Sequence, residues 1–556
     1  MDTFNISVQI ETDLLIVGGG IAGLACCAEA KAHGIQATLI SKAPIGSGAS
    51  FFPLKATLGI QVTGDKNDRT LFQEDIERVA QGMNNPKIVQ AYIEESPQAI
   101  ELLERIGFKP WKRNDNRPAC FANYPRPIYL INQWREAAER ARKSVAEQGT
   151  TVYEDATLLH IVTDNNQVQG AVFSHKTSGT IRYVFCKTGQ LILATGGIAG
   201  LYKDNLYPAD VVGSAHFIAL QAGAKLTNLE FIQFIPSFVE PKYKVLFGEH
   251  TLKYVQKITD SQGRDLFPHL SAEQFRQMMT QRSDYAPFSI DFPCVEFDLV
   301  MMKHLLDNPQ EKGIYLHYSP ELYQDHTEFY TVYLNWLDKE VGINLVRDRV
   351  AIAPFAHSCN GGVVIDEFAE SDVKGLFAVG EVSSCIEGAN RLGGNSVGGS
   401  LVFAKRAVNK VYTNLSATKE RKSADITLLC RQAEDYLRTF YHSALNGLTP
   451  SIVLTQMREL MTKFANVYRT EQNLTYLLQQ LERLEKELNF AADHFAQSVE
   501  TYHALQTAKS VAVAMLARTE RRGAHYRADY PTTDTKPYRL RIGLDKGNIK
   551  VEKTYP

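Results

Sequence analysis

Residues 13–24 read DLLIVGGGIAGL. The run 13–17 is short and apolar, the pattern of a parallel strand buried on both faces. Glycines follow at once, with Gly18, Gly20 and Gly23 spaced as G-x-G-x-x-G. Residues 24–34, LACCAEAKAHG, have helical spacing and end on Gly34, and 35–41, IQATLIS, read as a second strand. A strand, a glycine turn, a helix and a strand within about 30 residues form a dinucleotide-binding unit. Gly18 permits the tight turn, Gly20 lets the backbone approach a pyrophosphate, and Gly23 lets the helix pack on the strand. The helix start then offers free N–H groups and a positive dipole end to phosphate.

One element of the fingerprint differs. The second strand should end in an Asp or Glu that holds the adenosine ribose. Ser41-Lys42 stands there instead, followed by APIGSGAS at 43–50. This disfavours NAD and resembles one group of FAD enzymes.

Further along, RTLFQEDIERVAQGM and IVQAYIEESPQAIELLERIG predict helices within 69–106, broken at Asn84-Asn85-Pro86. A helix is expected from about Ile131 to Gln148, then short strands in hairpin order over 151–189. QLILATGG at 190–197 reads as another buried strand, and 209–224 as a helix. Residues 236–350 are rich in aromatics and turns, without glycine-rich nucleotide signals. Those signals resume at GGVVID (361–366), GLFAVGEVSS (375–384) and GANRLGGNSVGGS (388–400). A domain interrupted by an insertion explains this order. Amphipathic helices follow over 421–524, then a terminal hairpin around Asp545-Lys546-Gly547-Asn548.

The chain has 556 residues, 44% hydrophobic and 22% charged, with a net charge of -2. That is an ordinary globular composition with room for several domains. The balance gives no electrostatic footprint for nucleic acid or an anionic membrane. Eight cysteines, none in C-x-x-C spacing, predict no disulfide framework, metal site or iron–sulfur cluster. No apolar run approaches the ~18 residues of a membrane span. The N-terminus lacks a basic, then apolar, leader. A cytoplasmic enzyme is the expectation.

Six ordered segments resemble the flavoprotein family of succinate dehydrogenase, fumarate reductase and L-aspartate oxidase. DLLIVGGGIAGL with LISKAPIGSGAS resembles its pyrophosphate loop, and LILATGGIAGLY its ATGG segment. NLEFIQFIPS (228–237) is similar to N-L-E-F-x-Q-F-H-P-T. HSCNGGVVID (357–366) resembles H-Y-T-x-G-G-x-x-x-D. GLFAVGEVSSCIEGANRLGGNS (375–396) and ARTERRGAHYRADYP (517–531) resemble the family's last two motifs. The compact QF-x-P and ERRGAHYRADYP segments lean toward the L-aspartate oxidase branch.

The resemblance implies an α/β protein: a Rossmann-like FAD domain split by an α+β capping domain, then a helical domain. The expected bounds are 1–235 and 351–420 for the FAD domain, 236–350 for the cap, 421–530 for the helices and 531–556 for the tail. It implies hydride transfer between a small carboxylate-bearing substrate and the flavin. Gly18, Gly20, Gly23, Ser41, Lys42, Ser47, Gly48, Ala194, Thr195 and Gly196 are expected to hold the cofactor. Glu381 matches a residue on its hydroxyls, and Asn395, Ser396 and Val397 open a helix toward the flavin. Arg391 matches the carboxylate-holding Arg, His357 a substrate-binding His, and Gln233 is placed to reach substrate.

The departures are as informative. The family's His in Q-F-H-P-T is Ile235 here, and its Thr is Ser237. The capping motif A-P-R-D-x-x-x-R has its counterpart in Ala286-Pro287-Phe288-Ser289, so Phe288 replaces the proton-donating Arg. Arg282, six residues earlier, could substitute only through a rearranged loop. Glu387 replaces the His before G-A-N-R. The covalent-flavin His is missing from GSGASFFPLKATLG (46–59), so FAD is expected to be non-covalent. A substrate with one carboxylate on Arg391 and a less polar or cationic remainder fits, such as an amino acid oxidised at C–N with Glu387 near its amine. The electron acceptor is open among O2, a quinone and an iron–sulfur partner, and so is homo-oligomerisation. The alternatives are a flavoprotein subunit of a fumarate reductase-like complex and a non-enzymatic FAD protein.

Overall fold

The computed structural model describes residues 4–52, 55–417, 425–440 and 447–555. At its centre Leu14–Val17 and Ala37–Ile40 pair in parallel, joined by the helix Ile21–Ala32. Leu191–Leu193 and Leu376–Ala378 extend the sheet on one side and Thr151–Tyr153 on the other, giving five parallel strands. The four residues of each of the first two strands are all buried. This is why they read as unbroken apolar runs rather than alternating ones. Parallel strands need long crossovers. The chain therefore returns to this sheet from positions as distant as 14 and 378.

The hairpin expectation over 151–189 needs one correction. Thr151–Tyr153 is the edge strand of the parallel sheet. Only Ala156–Asp164, Gln167–Thr177 and Thr180–Lys187 form the antiparallel meander, with Val8–Glu11 added in parallel at its edge. Three β-prone residues cannot announce which sheet they will join, because pairing is a tertiary choice. The predicted helices at 131–148 and 209–224 are shorter, Trp134–Gln148 and Ser214–Gln221.

The strands Ile232–Glu240 and Val350–Cys359 run antiparallel along most of their length. With Ile314–Tyr318, Val255–Thr259 and Val245–Leu246 they make a second, five-stranded sheet. A second apolar core sits on it. Phe238, Phe247, Phe297, Met301, Leu316 and Ile352 belong to this core and not to the main one. The two long strands are thus the double bridge between the cores. The helices Ile426–Arg438, Pro450–Phe464, Glu471–Glu487 and Phe495–Ala517 follow. The expected boundary at 420/421 lies outside the described residues.

The tail forms the hairpin Arg539–Asp545 with Asn548–Thr554, turning at Lys546 and Gly547, both with positive φ. It pairs with Leu226–Thr227, so the C-terminus is stitched to the first domain. Residues 518–527 anchor it through buried charges. Arg518 Nε donates to Glu230 Oε1 at 2.6 Å and its Nη1 to Glu520 Oε1 at 2.6 Å. Arg469 Nη1 meets His525 Nδ1 at 2.7 Å. The ERRGAH motif therefore serves packing: Arg518, Glu520 and Arg522 are ion-paired, and Arg469 donates to backbone carbonyls and His525.

Candidate active site

The C-terminal ends of four central strands, at Val17, Ile40, Ala194 and Val379, open into one cleft of about 1210 Å³, part of it continuous with solvent. Ligands of open α/β sheets bind at this end. The glycine fingerprint forms its floor, and the spacing of atoms explains each glycine. A Cβ on Gly23 would stand 1.9 Å from Gly18 O, and one on Gly18 2.3 Å from Ala194 O. A Cβ on Gly20 would meet nothing closer than Gly48 Cα at 3.8 Å. The first two glycines close the packing, and the third keeps the cleft floor clear. Gly20 caps the helix Ile21–Ala32 with extended backbone and no side-chain bond, leaving its first N–H groups to a ligand. Thr195 Oγ1 is buried in the same wall without a hydrogen-bond partner. A bare cradle, unpaired amides and an orphaned hydroxyl fit a dinucleotide.

All the residues expected to hold the cofactor line this cleft except Gly23 and Asn395, which lie behind it. Ser47 Oγ turns to Pro44 O at 2.5 Å and Ser41 Oγ to Ala43 O at 2.6 Å, both shaping the loop. Asn395–Ala417 is the expected helix, and Asn395 Oδ1 lies 3.5 Å from Gln61 Nε2. Glu381 Oε1 accepts from Tyr207 Oη and from Cys359 N, the latter at 2.9 Å. Burial raises the Glu381 carboxyl above its usual range, and these bonds pull it partly back.

Arg391 and His357 come together although 34 residues separate them. Arg391 Nη2 lies 3.2 Å from His357 Nε2, and its Nη1 donates to Ser396 Oγ. The strand register explains the position of His357. Gln233 pairs with Ser358 and Phe234 with Ala356, so His357 is the extra residue of a β-bulge. Bulges re-aim side chains and gather beside active sites. Burial, then the charges of Arg391 and Lys55, lower the His357 imidazole to about 3. It is a neutral ring at physiological pH. Glu387 is 9% exposed and its Oε1 has no partner. Burial raises its carboxyl to about 7 against the pull of Arg391.

Gln233 is fully buried, with Oε1 accepting from Ser358 Oγ at 2.8 Å and Nε2 unpartnered. It acts on the bulge rather than lining the cofactor cleft. Ile235 is 5% exposed and Phe288 fully buried in the main core, Phe288 N donating to Phe234 O at 2.7 Å. Ser237 is also fully buried, its Oγ unpartnered. Arg282 does not take the place of the missing Arg. Its Nε and Nη2 bind both oxygens of Asp298 at 2.8 and 3.1 Å, and its remaining donors reach Tyr285 O and Ala286 O. All of its fork is spent in a buried pair.

Three groups had no signal in the sequence. Tyr207 holds Glu381 from a loop with no motif. Lys55 donates to Ala49 O and stands 4.8 Å from the Trp134 ring centroid, and burial lowers its amine to about 7. Glu500, on the helix Phe495–Ala517, lines the cofactor cleft and pairs with Lys42 at 2.8 Å. A helical periodicity marks Glu500 only as polar.

Residues 13–397 match the FAD binding domain family, and residues 454–552 match the Fumarate reductase flavoprotein C-term family. Fold and site therefore define an FAD-dependent oxidoreductase. The chain belongs to the flavoprotein family of fumarate reductase, succinate dehydrogenase and L-aspartate oxidase. It is 25% identical over 545 residues to one of the subunits of the fumarate reductase (CoM/CoB) of Methanothermobacter marburgensis, covering 94% of this chain and 95% of that one. It is 26% identical over 554 residues to the L-aspartate oxidase of Bacillus subtilis, covering 97% and 95%. Among solved structures, E. coli quinol fumarate reductase shares the fold with a TM-score of 0.79 at 21% identity, covering 99% of this chain and 97% of that one. Among the described residues, no helix is long and apolar enough to cross a membrane.

Proposed function

We propose that the chain oxidises a small amino acid at its C–N bond, holding a single carboxylate on Arg391. The observation that carries this reading is the buried carboxyl of Glu387 beside Arg391, its Oε1 without a partner, in a chain where Ile235 and Phe288 replace two polar family residues. Arg391 supplies a fixed fork for carboxylate. His357, neutral, adds a hydrogen bond without competing for charge. Lys55, its amine lowered to about 7 by burial, adds a partly protonated amine near His357. Glu387 is poised to pair with a substrate ammonium or to take its proton near pH 7. Neither Ile235 nor the core residue Phe288 has a side-chain group that could pair with a second carboxylate, whose unpaired burial would cost several kcal/mol.

The glycine cradle, Glu381 and the start of the helix Asn395–Ala417 would hold FAD non-covalently, and the bound flavin would supply the hydride acceptor. Glu381 and Tyr207 fix one end of the cleft, and Ser396 ties Arg391 to that helix. The N-terminus of this helix carries a partial positive charge suited to an anionic ring edge. Eight cysteines, all of them free thiols, support a cytoplasmic location.

The test is an anaerobic screen of amino acids and dicarboxylic acids for bleaching of the bound flavin. Bleaching by an amino acid, with fumarate and succinate inert, is expected. Arg391→Ala should weaken that substrate about 100-fold. Brisk fumarate turnover, or an unchanged dissociation constant in the variant, would overturn the assignment. A second reading rests on the full-length similarity to one component of a multi-subunit fumarate reductase. In it the flavoprotein passes electrons to an iron–sulfur partner or a quinone. Co-purification with a cysteine-rich chain, and no peroxide from the isolated protein, would favour that reading.

A further inference from the structure

The strand-end carboxylate that holds the adenosine ribose in dinucleotide folds is missing, because Ser41-Lys42 occupies its place. The structure brings a carboxylate back to that place from far away in sequence. Glu500 projects from the helix Phe495–Ala517 into the cofactor cleft and meets Lys42 Nζ at 2.8 Å. Lys42 is itself fixed by donating to Asp210 O at 3.2 Å. The side chain of Glu500 is 12% exposed, so it is a wall of the cleft rather than a rim charge. Glu381, Tyr207 and Ser396 line the same cleft from other elements. The end at Lys42 is the second-strand end, where an adenosine ribose lies in this fold.

We propose that Glu500, supplied by the helical domain, is the residue that accepts hydrogen bonds from the adenosine ribose hydroxyls of FAD, with Lys42 holding its carboxylate in place. A carboxylate has two oxygens and about four lone-pair sites, so pairing with Lys42 leaves acceptors for a diol. The helical domain thereby becomes part of the cofactor site, and bound FAD bridges it to the first domain. This inference rests on FAD binding alone and is independent of the substrate proposed above.

The test uses the full chain stripped of flavin, titrated with FAD and with FAD lacking the adenosine 2′-hydroxyl, followed by flavin fluorescence. Wild type should bind the deoxy analogue about 10-fold more weakly. Glu500→Ala should lose about 10- to 100-fold in FAD affinity and should bind both flavins equally. Lys42→Met is the second variant, expected to weaken FAD while keeping some preference for the hydroxyl. If Glu500→Ala keeps the wild-type preference, the inference fails and Glu500 only docks its helix on Lys42. If the preference disappears instead in Asp210→Asn, the ribose acceptor is Asp210 and the inference also fails.

Discussion

The cofactor cleft and the side-chain cluster around Arg391 are built in opposite ways. The first is made of backbone: Gly18, Gly20 and Gly23 clear space, and the helix after them presents its amides. The second is made of side chains brought from distant segments. Lys55, His357, Glu387 and Arg391 meet through a loop, a bulged strand and a return to the central sheet. A backbone cradle tolerates almost no change at its glycines yet says little about specificity. A side-chain pocket tolerates substitution, and each substitution rewrites what it accepts.

The largest effect belongs to the cradle. Gly23→Val places a branched side chain where even a Cβ would stand 1.9 Å from a backbone oxygen. The helix must shift off the strand. We expect destabilisation of several kcal/mol and no flavin retained after gel filtration, read from the absorbance of the purified protein. A yellow, normally melting variant would show that the packing argument is wrong.

In the pocket the effect should be smaller and selective. Glu387→Gln keeps shape and removes the charge that an ammonium would meet. The dissociation constant of an amino acid substrate should rise about 10-fold or more, the value of a hydrogen bond between charged groups. That of the matching acid without the amine should stay unchanged. Equal weakening of both ligands would place Glu387 away from the amine.

The mildest prediction concerns neither site. His160 and His216 are buried with their rings lowered to about 4, and His503 to about 3, each mainly by burial. His160 stacks on Tyr436 at 4.0 Å, and His503 Nε2 lies 3.4 Å from its hydroxyl. These residues join the meander sheet to the helical domain. Unfolded histidines bind protons near pH 6.5, but these folded ones do not. The unfolded state therefore takes up more protons between about 6.5 and 4, and stability falls as pH is lowered through that window. The loss should be on the order of 1 kcal/mol per pH unit for each histidine that stays neutral. A melting temperature unchanged between pH 7 and pH 5 would contradict it. His503→Gln should soften the slope, separating this histidine from carboxyl groups whose titration is also shifted, such as Glu387 raised to about 7.

Residues 13–41 determined the cofactor class by themselves, because a strand, a glycine turn and a helix are local objects with local periodicities. Phe288 and Ile235 were legible as departures, for a missing imidazole or guanidinium is visible in a motif. Tertiary structure decided the rest. Arg282 reads in sequence like a spare cation, and only the fold shows it spent on Asp298. His357 reads like one residue of a strand, and only the register shows it bulged toward Arg391. Thr151–Tyr153 reads like a hairpin arm, and only sheet pairing assigns it to the central sheet. Glu500 reads like one more solvent charge on an amphipathic helix, yet it closes the cofactor cleft 458 residues beyond the lysine it meets, the difference between positions 500 and 42. The physical reason is common to all four. Spacing along a chain encodes which face of an element a side chain occupies, whereas its partners are set by how elements from remote positions pack.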